Sequence, residues 1–290
     1  MPLHLIREYE CQLMDSFKQV SSPIYEFDEL GELQPNPIFH RSWDKLHSRC
    51  IEYPYAASRV CNVQRLLDVG TAKADLTWIA WLNSLPLEVH TVDYDPPESK
   101  FDNCYFYSAD VRYLPIPDDI FDIILAVSVI EHIGLEKPLV KGINLPAISE
   151  WGDLDAFKEL VRILKPGGNL VMTFPFGVTD NLILDGAARS YTNESIKRFF
   201  GIAHPIALDY FEYQYSNYTC LYTEPKTVTP RKQKLREFWK KDKSPHETTR
   251  ATKLPRLPGQ VTWRKIPLED AKATNTNHID GVLCSVWSKF

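Results

Sequence analysis

The chain of 290 residues is predicted to adopt an α/β fold, a mostly parallel sheet covered by helices on both faces. Three observations predict it. From residue 63 onward, short apolar runs rich in β-branched residues alternate with stretches of helical periodicity. The run Phe121 to Ile130 is almost continuously apolar, as a strand buried on both faces requires. And Arg65-Leu66-Leu67-Asp68-Val69-Gly70 reads as a buried strand that ends in an acid and a glycine, where a nucleotide-type ligand binds in such sheets.

The elements run in order along the chain. Arg65 to Val69 is the first strand, and Leu76, Ile79, Ala80 and Asn83 carry helical spacing up to Pro86. The second strand is Leu87 to Val92, closed by Asp93, and the third is the short Tyr105 to Tyr107 run that leads into Ser108-Ala109-Asp110. Phe121 to Ile130 is the fourth. A helix over Leu154, Phe157, Leu160, Val161 and Leu164 has Asp153 as its expected N-cap and stops at Lys165-Pro166-Gly167-Gly168. Asn169 to Phe174 is the fifth strand. Tyr210, Phe211, Tyr213, Tyr215 and Tyr218 surround a sixth, where alternation on a half-buried strand accounts for the aromatics, and Gly281 to Trp287 is a last strand returning to the sheet.

Composition limits the function classes. Hydrophobic content is 44%, yet no uninterrupted apolar run approaches the ~20 residues of a membrane span. Met1 to Val20 is punctuated by Arg7, Glu8, Glu10 and Asp15, unlike a signal peptide, so a cytoplasmic protein is expected. The six cysteines are scattered without a CxxC pair, against both a zinc module and a disulfide framework. Net charge is −5, but Lys226 to Arg256 holds eleven basic residues against three acids and several prolines, leaving −13 elsewhere. That segment, within a Pro/Lys-rich insertion at about 222–262, reads as a solvated surface piece, with a short helix over Arg231 to Lys240, or as a surface for an anionic partner.

Asp68, Asp93 and Asp110 would gather at the carboxyl edge of the sheet. The second acid stands at the offset where a carboxylate receives a ribose diol, and Asp110 with the amide of Val111 would meet an adenine ring. Each alone also reads as a turn or helix cap.

With Leu67-Asp68-Val69-Gly70, Val92-Asp93, Ser108-Ala109-Asp110-Val111, Phe121-Asp122-Ile123-Ile124, Ile130-Glu131-His132-Ile133 and Arg162-Ile163-Leu164-Lys165-Pro166-Gly167-Gly168-Asn169-Leu170, the sequence resembles the class I S-adenosylmethionine-dependent methyltransferases. The resemblance covers about Glu52 to Tyr191 and resumes at the last strand. It implies a Rossmann-like three-layer sandwich, a seven-stranded sheet with the last strand antiparallel, and S-adenosylmethionine as cofactor. The implied division is a helical N-terminal cap over residues 1–62, with His40, Trp43 and His47 as packing residues, and a methyltransferase domain over 63–290. The cofactor site implied takes in Glu52, Asp68, Gly70, Thr71, Ala72, Asp93, Tyr94, Asp110, Val111 and Ser128.

Glu52-Tyr53-Pro54, Gly134-Leu135, Gly152-Asp153, Phe174-Pro175-Phe176-Gly177 and Arg189-Ser190-Tyr191 look like a subgroup that accompanies sugar and polysaccharide modification. This implies a small-molecule acceptor, a sugar or nucleotide-sugar, methylated on a hydroxyl or carboxyl oxygen. Gly177 to Ser190 has the length of a substrate-facing connection, and Phe176, Arg189 and Tyr191 are the candidate acceptor contacts, Arg189 reading equally as a surface ion pair. His132 is the candidate base because an ordinary imidazole titrates near pH ~6.5, with Glu131 beside it; the same two residues would also serve merely to close the pocket. Glu131 and His132 could instead help hold a divalent metal with another acid, but no local ligand cluster of the usual kind calls for one.

One departure bears on mechanism. Ala72 and Ala74 occupy positions where the family carries further glycines. Either the loop keeps φ negative at Ala72 and seats the cofactor slightly displaced, or the site is weakened and the chain is a non-catalytic methyltransferase-like scaffold. A nucleic-acid methyltransferase that uses the basic insertion is the other alternative, set against an acidic remainder and the lack of an RNA-binding module.

Overall fold

The computed structural model describes residues 26–27, 33–34, 48–97, 101–137, 147–215, 261–276 and 279–290. His40, Trp43, His47, Tyr218 and the basic run 226–256 lie outside the described residues, and so do the expectations placed on them.

Two-residue strands β1 (Glu26–Phe27) and β2 (Leu33–Gln34) pair antiparallel ahead of helix α1 (Arg49–Ala57). Then come β3 (Arg65–Val69), α2 (Leu76–Ser84), β4 (Glu88–Asp93), β5 (Cys104–Ser108), β6 (Phe121–Val127), α3 (Gly152–Ile163) and β7 (Leu164–Pro175). A hairpin of β8 (Asn181–Ile183) and β9 (Ala188–Ser190) follows, and β10 (His204–Tyr215), β11 (Val261–Ile266) and β12 (Gly281–Ser288) complete the order.

The main sheet runs β11-β10-β12-β7-β6-β3-β4-β5. The five strands β7, β6, β3, β4 and β5 are mutually parallel, and β12 is antiparallel to β7. The α/β fold and the antiparallel last strand are as expected. The sheet has eight strands rather than seven, because β11 adds an antiparallel edge to β10. Its alternation Val261-Thr262-Trp263-Arg264-Lys265-Ile266 begins inside the last two residues of the expected insertion and seats Trp263 in the core at 0% exposure.

Both faces are covered. Leu66, Ile123, Leu125 and Val171 pack under α1 and α2 with Ile51, Tyr55, Trp78 and Leu82, while Leu67, Ile124, Ala126 and Leu170 meet Phe157 and Leu160 of α3. Successive residues of one strand thus feed opposite cores, as the period of two demands. Each fully buried aliphatic or aromatic side chain there is worth about 1.5–3 kcal/mol. On α2 the buried face is Trp78, Ile79 and Leu82; Leu76 is exposed and so is Ala80, since the helix is too short for its spacing to fix which stripe faces the sheet. Strand β10 buries Tyr210 on one face and Phe211 and Tyr213 on the other, so it is covered on both sides and not half-buried.

Two turns differ from expectation in a way that shapes the site. Strand β6 ends at Val127, because Ser128 takes φ of 48° and swings the chain into a 3-10 turn at Ile130–His132. Asp153 is not an N-cap. It lies inside α3, fully buried, where its carboxylate accepts from the Leu154 amide at 2.8 Å and from Tyr191 Oη at 2.9 Å and pairs with Arg198, so tertiary partners share it with the helix.

Candidate functional site

The sheet order reverses between β3 and β6: β4 and β5 continue outward from β3 on one side, β7 from β6 on the other. Ligands of such sheets bind outside the carboxyl ends at that reversal, because the connecting segments diverge there and leave a crevice. The residues after β3 and β6 therefore form the candidate site.

After β3, Gly70 turns with φ of 81°, and a Cβ placed on it would stand 2.4 Å from Val129 Cγ2. Glycine is needed on both counts, the positive φ and the close approach of the β6 turn. Thr71–Lys73 then forms a 3-10 turn, with Ala72 buried and at negative φ, and Ala74 is extended at φ −67°. The two alanines thus sit in backbone that alanine adopts freely. The loop is held from both sides: Thr71 Oγ1 donates to Asp68 Oδ2 at 2.6 Å, and the Ala72 amide donates to Asp93 Oδ2 at 2.9 Å.

The three strand-end acids differ in what they hold. Asp68 is buried and also accepts from Trp78 Nε1 at 3.1 Å, so it braces the loop against α2; burial pushes its carboxyl up to about 7. Asp93 accepts the amides of Ala72 and, on Oδ1, Asp95, and burial raises it as well. Tyr94, next along, is exposed. Asp110 is bound by Arg112, whose Nη2 donates to Oδ2 at 2.6 Å and Nε to Oδ1 at 3.0 Å; burial raises its carboxyl, but Arg112 outweighs this and holds it low. Arg112 also reaches Ala147 O at 2.8 Å, and Val111 is buried beside it. Both Asp110 oxygens are thus engaged by a residue that sequence reading passed over, although an acid and an arginine two apart in a strand-end turn is a visible signal.

After β6 lies a buried polar cluster. Glu52 of α1, with no exposure, accepts from Ser48 Oγ (2.9 Å), Arg49 Nη1 (2.5 Å), Ser128 Oγ (2.5 Å) and Thr173 Oγ1 (2.8 Å). Burial opposes its charge, yet Arg49 and the hydroxyls keep it below the ordinary value. Glu52, expected at the cofactor, ties α1 to the ends of β6 and β7. Arg49 was unforeseen, though an arginine three residues before a glutamate on a helix is a readable pair. Glu131 stands next to this cluster, 1% exposed, and burial pushes its carboxyl up to about 8. Its Oε2 has no hydrogen-bond partner among the described residues.

His132 is oriented by the hairpin. Its Nδ1 lies 2.5 Å from Ala187 O, which fixes the proton on Nδ1 and leaves Nε2 with the lone pair, 3.8 Å from Glu131 Oε1. Burial lowers the imidazole to about 4, so it does not titrate near 6.5 as expected of a free side chain.

The acceptor expectations fare differently. Gly177 to Ser190 is the β8–β9 hairpin, and it lies on the 130–133 turn: Arg189 Nη1 donates to Ile133 O at 2.7 Å. Arg189 therefore fastens this connection rather than standing free as an anion clamp. Phe176 and Tyr191 are at 0% and 1% exposure and belong to the core, Phe176 against Tyr210 and Tyr191 against Phe174 and Phe199. Among the described residues no group of three or more His, Cys, Asp and Glu is placed to hold a metal ion, and no helix is long and apolar enough to cross a membrane.

Residues 67–172, from inside β3 to inside β7, match a family model described as "Methyltransferase domain". No curated protein matches the chain. Among solved structures, the chain is similar to the N-methyltransferase NodS from Bradyrhizobium japonicum WM9 in complex with S-adenosyl-L-homocysteine, at 10% identity over 97% of this chain and 98% of that one, TM-score 0.44. It is also similar to the 1,6-didemethyltoxoflavin-N1-methyltransferase of Burkholderia thailandensis, at 11% identity over 78% and 70% of the two chains, TM-score 0.41. The cyclase SpnF is another, at 17% identity over 70% and 72%, TM-score 0.43. These likenesses are distant.

Proposed function

We propose that this chain is a methyltransferase that uses S-adenosylmethionine and methylates a small molecule on a hydroxyl or carboxyl oxygen, with a sugar or related metabolite as the acceptor. The reading rests on the match of residues 67–172 to a methyltransferase domain, and one observation carries it: at the point where sheet order reverses, Gly70 turns at positive φ against Val129 and the next loop is laced to Asp93.

The residues present fit the cofactor. Gly70, Thr71 and Ala72 offer backbone at close approach, Asp93 stands at the strand end where a diol is received, and Tyr94 is exposed beside it. Asp110 keeps a fixed orientation through Arg112, with lone pairs left for an exocyclic amine. The sulfonium group supplies an electrophilic methyl, and its transfer discharges the positive sulfur.

The protein's own part is alignment and proton management. With Nδ1 bound to Ala187 O, His132 presents Nε2 as an acceptor, and an imidazole held near 4 stays neutral at physiological pH. It would hold an acceptor hydroxyl in line and take its proton as the oxygen–carbon bond forms, while fixed positioning provides most of the acceleration. The hairpin holds this imidazole through Ala187 O, and Arg189 fastens the hairpin to the same turn through Ile133 O.

The test is calorimetry with S-adenosylhomocysteine. The wild-type chain should bind it, and Asp93→Ala should weaken binding at least tenfold. Absence of both heat and thermal stabilisation at millimolar ligand would leave the reading without support, and the chain would be a scaffold that retains the fold.

A further inference from the structure

We propose that Glu131 receives the α-ammonium group at the amino-acid end of the cofactor, through the unpaired oxygen of its carboxyl group, in a subsite built on Glu52, Arg49 and Ser128. The inference rests on the function proposed above and deepens it.

Three observations place the group. The turn carrying Glu131 follows β6, next to β3, and touches the glycine loop through Val129 packed on Gly70, so Glu131 belongs to the crevice where the sheet order reverses. Its side chain is almost wholly buried, and Oε2 has no hydrogen-bond partner among the described residues. A buried acceptor left unpaired costs about 1–3 kcal/mol, so such an atom calls for a donor supplied from elsewhere.

The surrounding groups say which donor. Glu52 stands near Glu131 from α1, its two oxygens served by Ser48, Arg49, Ser128 and Thr173; Ser128 and the Glu131 amide also act on the Glu131 carboxyl, and Oε2 is still left without a partner among the described residues. His132, on the same turn, directs its Nδ1 to Ala187, and the Nε2 facing Glu131 at 3.8 Å carries a lone pair, so it donates nothing. Arg189 of β9 gives its guanidinium to the Ile133 and Glu131 carbonyls, not to the carboxyl group, and Tyr191 donates to Asp153. Two carboxyl groups thus share one guanidinium. A compact cation with several N–H donors completes the set, and a primary ammonium is such a cation.

The experiment measures by calorimetry the binding of S-adenosylhomocysteine and of its analogue lacking only the α-amino group, with wild type and Glu131→Gln. Wild type should prefer the amine-bearing ligand at least tenfold, and Glu131→Gln should shrink that preference below threefold while leaving the affinity for the deaminated analogue within twofold. A preference that survives in Glu131→Gln, or one absent in wild type, overturns the proposal while the cofactor reading stands. Equal losses for both ligands would mark Glu131 as structural and also overturn it. If wild type binds neither nucleoside, the cofactor reading falls and this inference with it. Should Glu131→Gln not fold, Glu131→Met, which removes the unpaired oxygen while keeping similar bulk, takes its place with the same expected readings.

Discussion

Replacing Glu131 by Gln should change the pH dependence of stability more than its level. The wild-type carboxyl is held at about 8 by burial, against an ordinary value of 4.5 in the unfolded chain. The folded state therefore binds the proton more tightly than the unfolded state does. Its contribution is fully present below pH ~4.5 and is lost as pH rises through 8. At 1.36 kcal/mol per unit, the gap amounts to about 5 kcal/mol as a ceiling, and relaxation of Arg49 toward the ionised carboxylate should reduce it to about 2–4 kcal/mol. Glutamine resembles the protonated acid in shape and does not titrate, so the variant loses nothing over this range. Asp68 and His132, which titrate in both proteins, cancel in the difference. Urea unfolding at pH 5, 7 and 9 measures it: Glu131→Gln should gain on wild type steadily, by about 2–4 kcal/mol between the extremes. A difference that stays flat within about 0.5 kcal/mol would show that Glu131 ionises freely and that its surroundings are wetter than the structure describes.

Two other substitutions or titrations test the site's construction. Gly70→Ala forces a left-handed residue and drives a methyl group into Val129, so a loss of about 2–4 kcal/mol is expected by thermal unfolding together with loss of S-adenosylhomocysteine binding; a change under about 1 kcal/mol would mean that the loop turns differently. The His132 ring should stay neutral in an NMR titration down to about pH 4, where burial places its transition, and a midpoint near 6.5 would show the hairpin lifted off the 130–133 turn.

Much of this architecture is written locally. The strands at Arg65–Val69 and Glu88–Asp93 announce themselves because each buries both faces and ends in an acid, and the helix over Leu154 to Leu164 because its apolar residues keep one stripe. What escaped is settled by contacts far apart in the chain. Asp153 carries the type and place of an N-cap, yet Tyr191 and Arg198, some forty residues on, claim it for the core. The burial of Tyr191 and Phe176 is likewise set by distant partners, Asp153 for the one and Tyr210 for the other. The eighth strand was hidden for another reason: its alternation is plain at Val261–Ile266, but it begins directly after a charged, proline-rich run that sets a misleading boundary. At the site, the acids were legible from their positions at strand ends, whereas the state of each depends on partners such as Arg112, Arg49 and Trp78.

Ala72 and Ala74 have a consequence beyond fitting their loop. A glycine replaced by alanine where the backbone already suits it removes conformations from the unfolded chain and stabilises by about 0.4–1 kcal/mol per site. Here the gain falls on the segment that would otherwise have to be ordered around a ligand, and the Ala72 amide is already spoken for by Asp93. The stiffening of this loop is thus completed during folding, before any ligand arrives, so encounter and docking find a loop with little left to arrange.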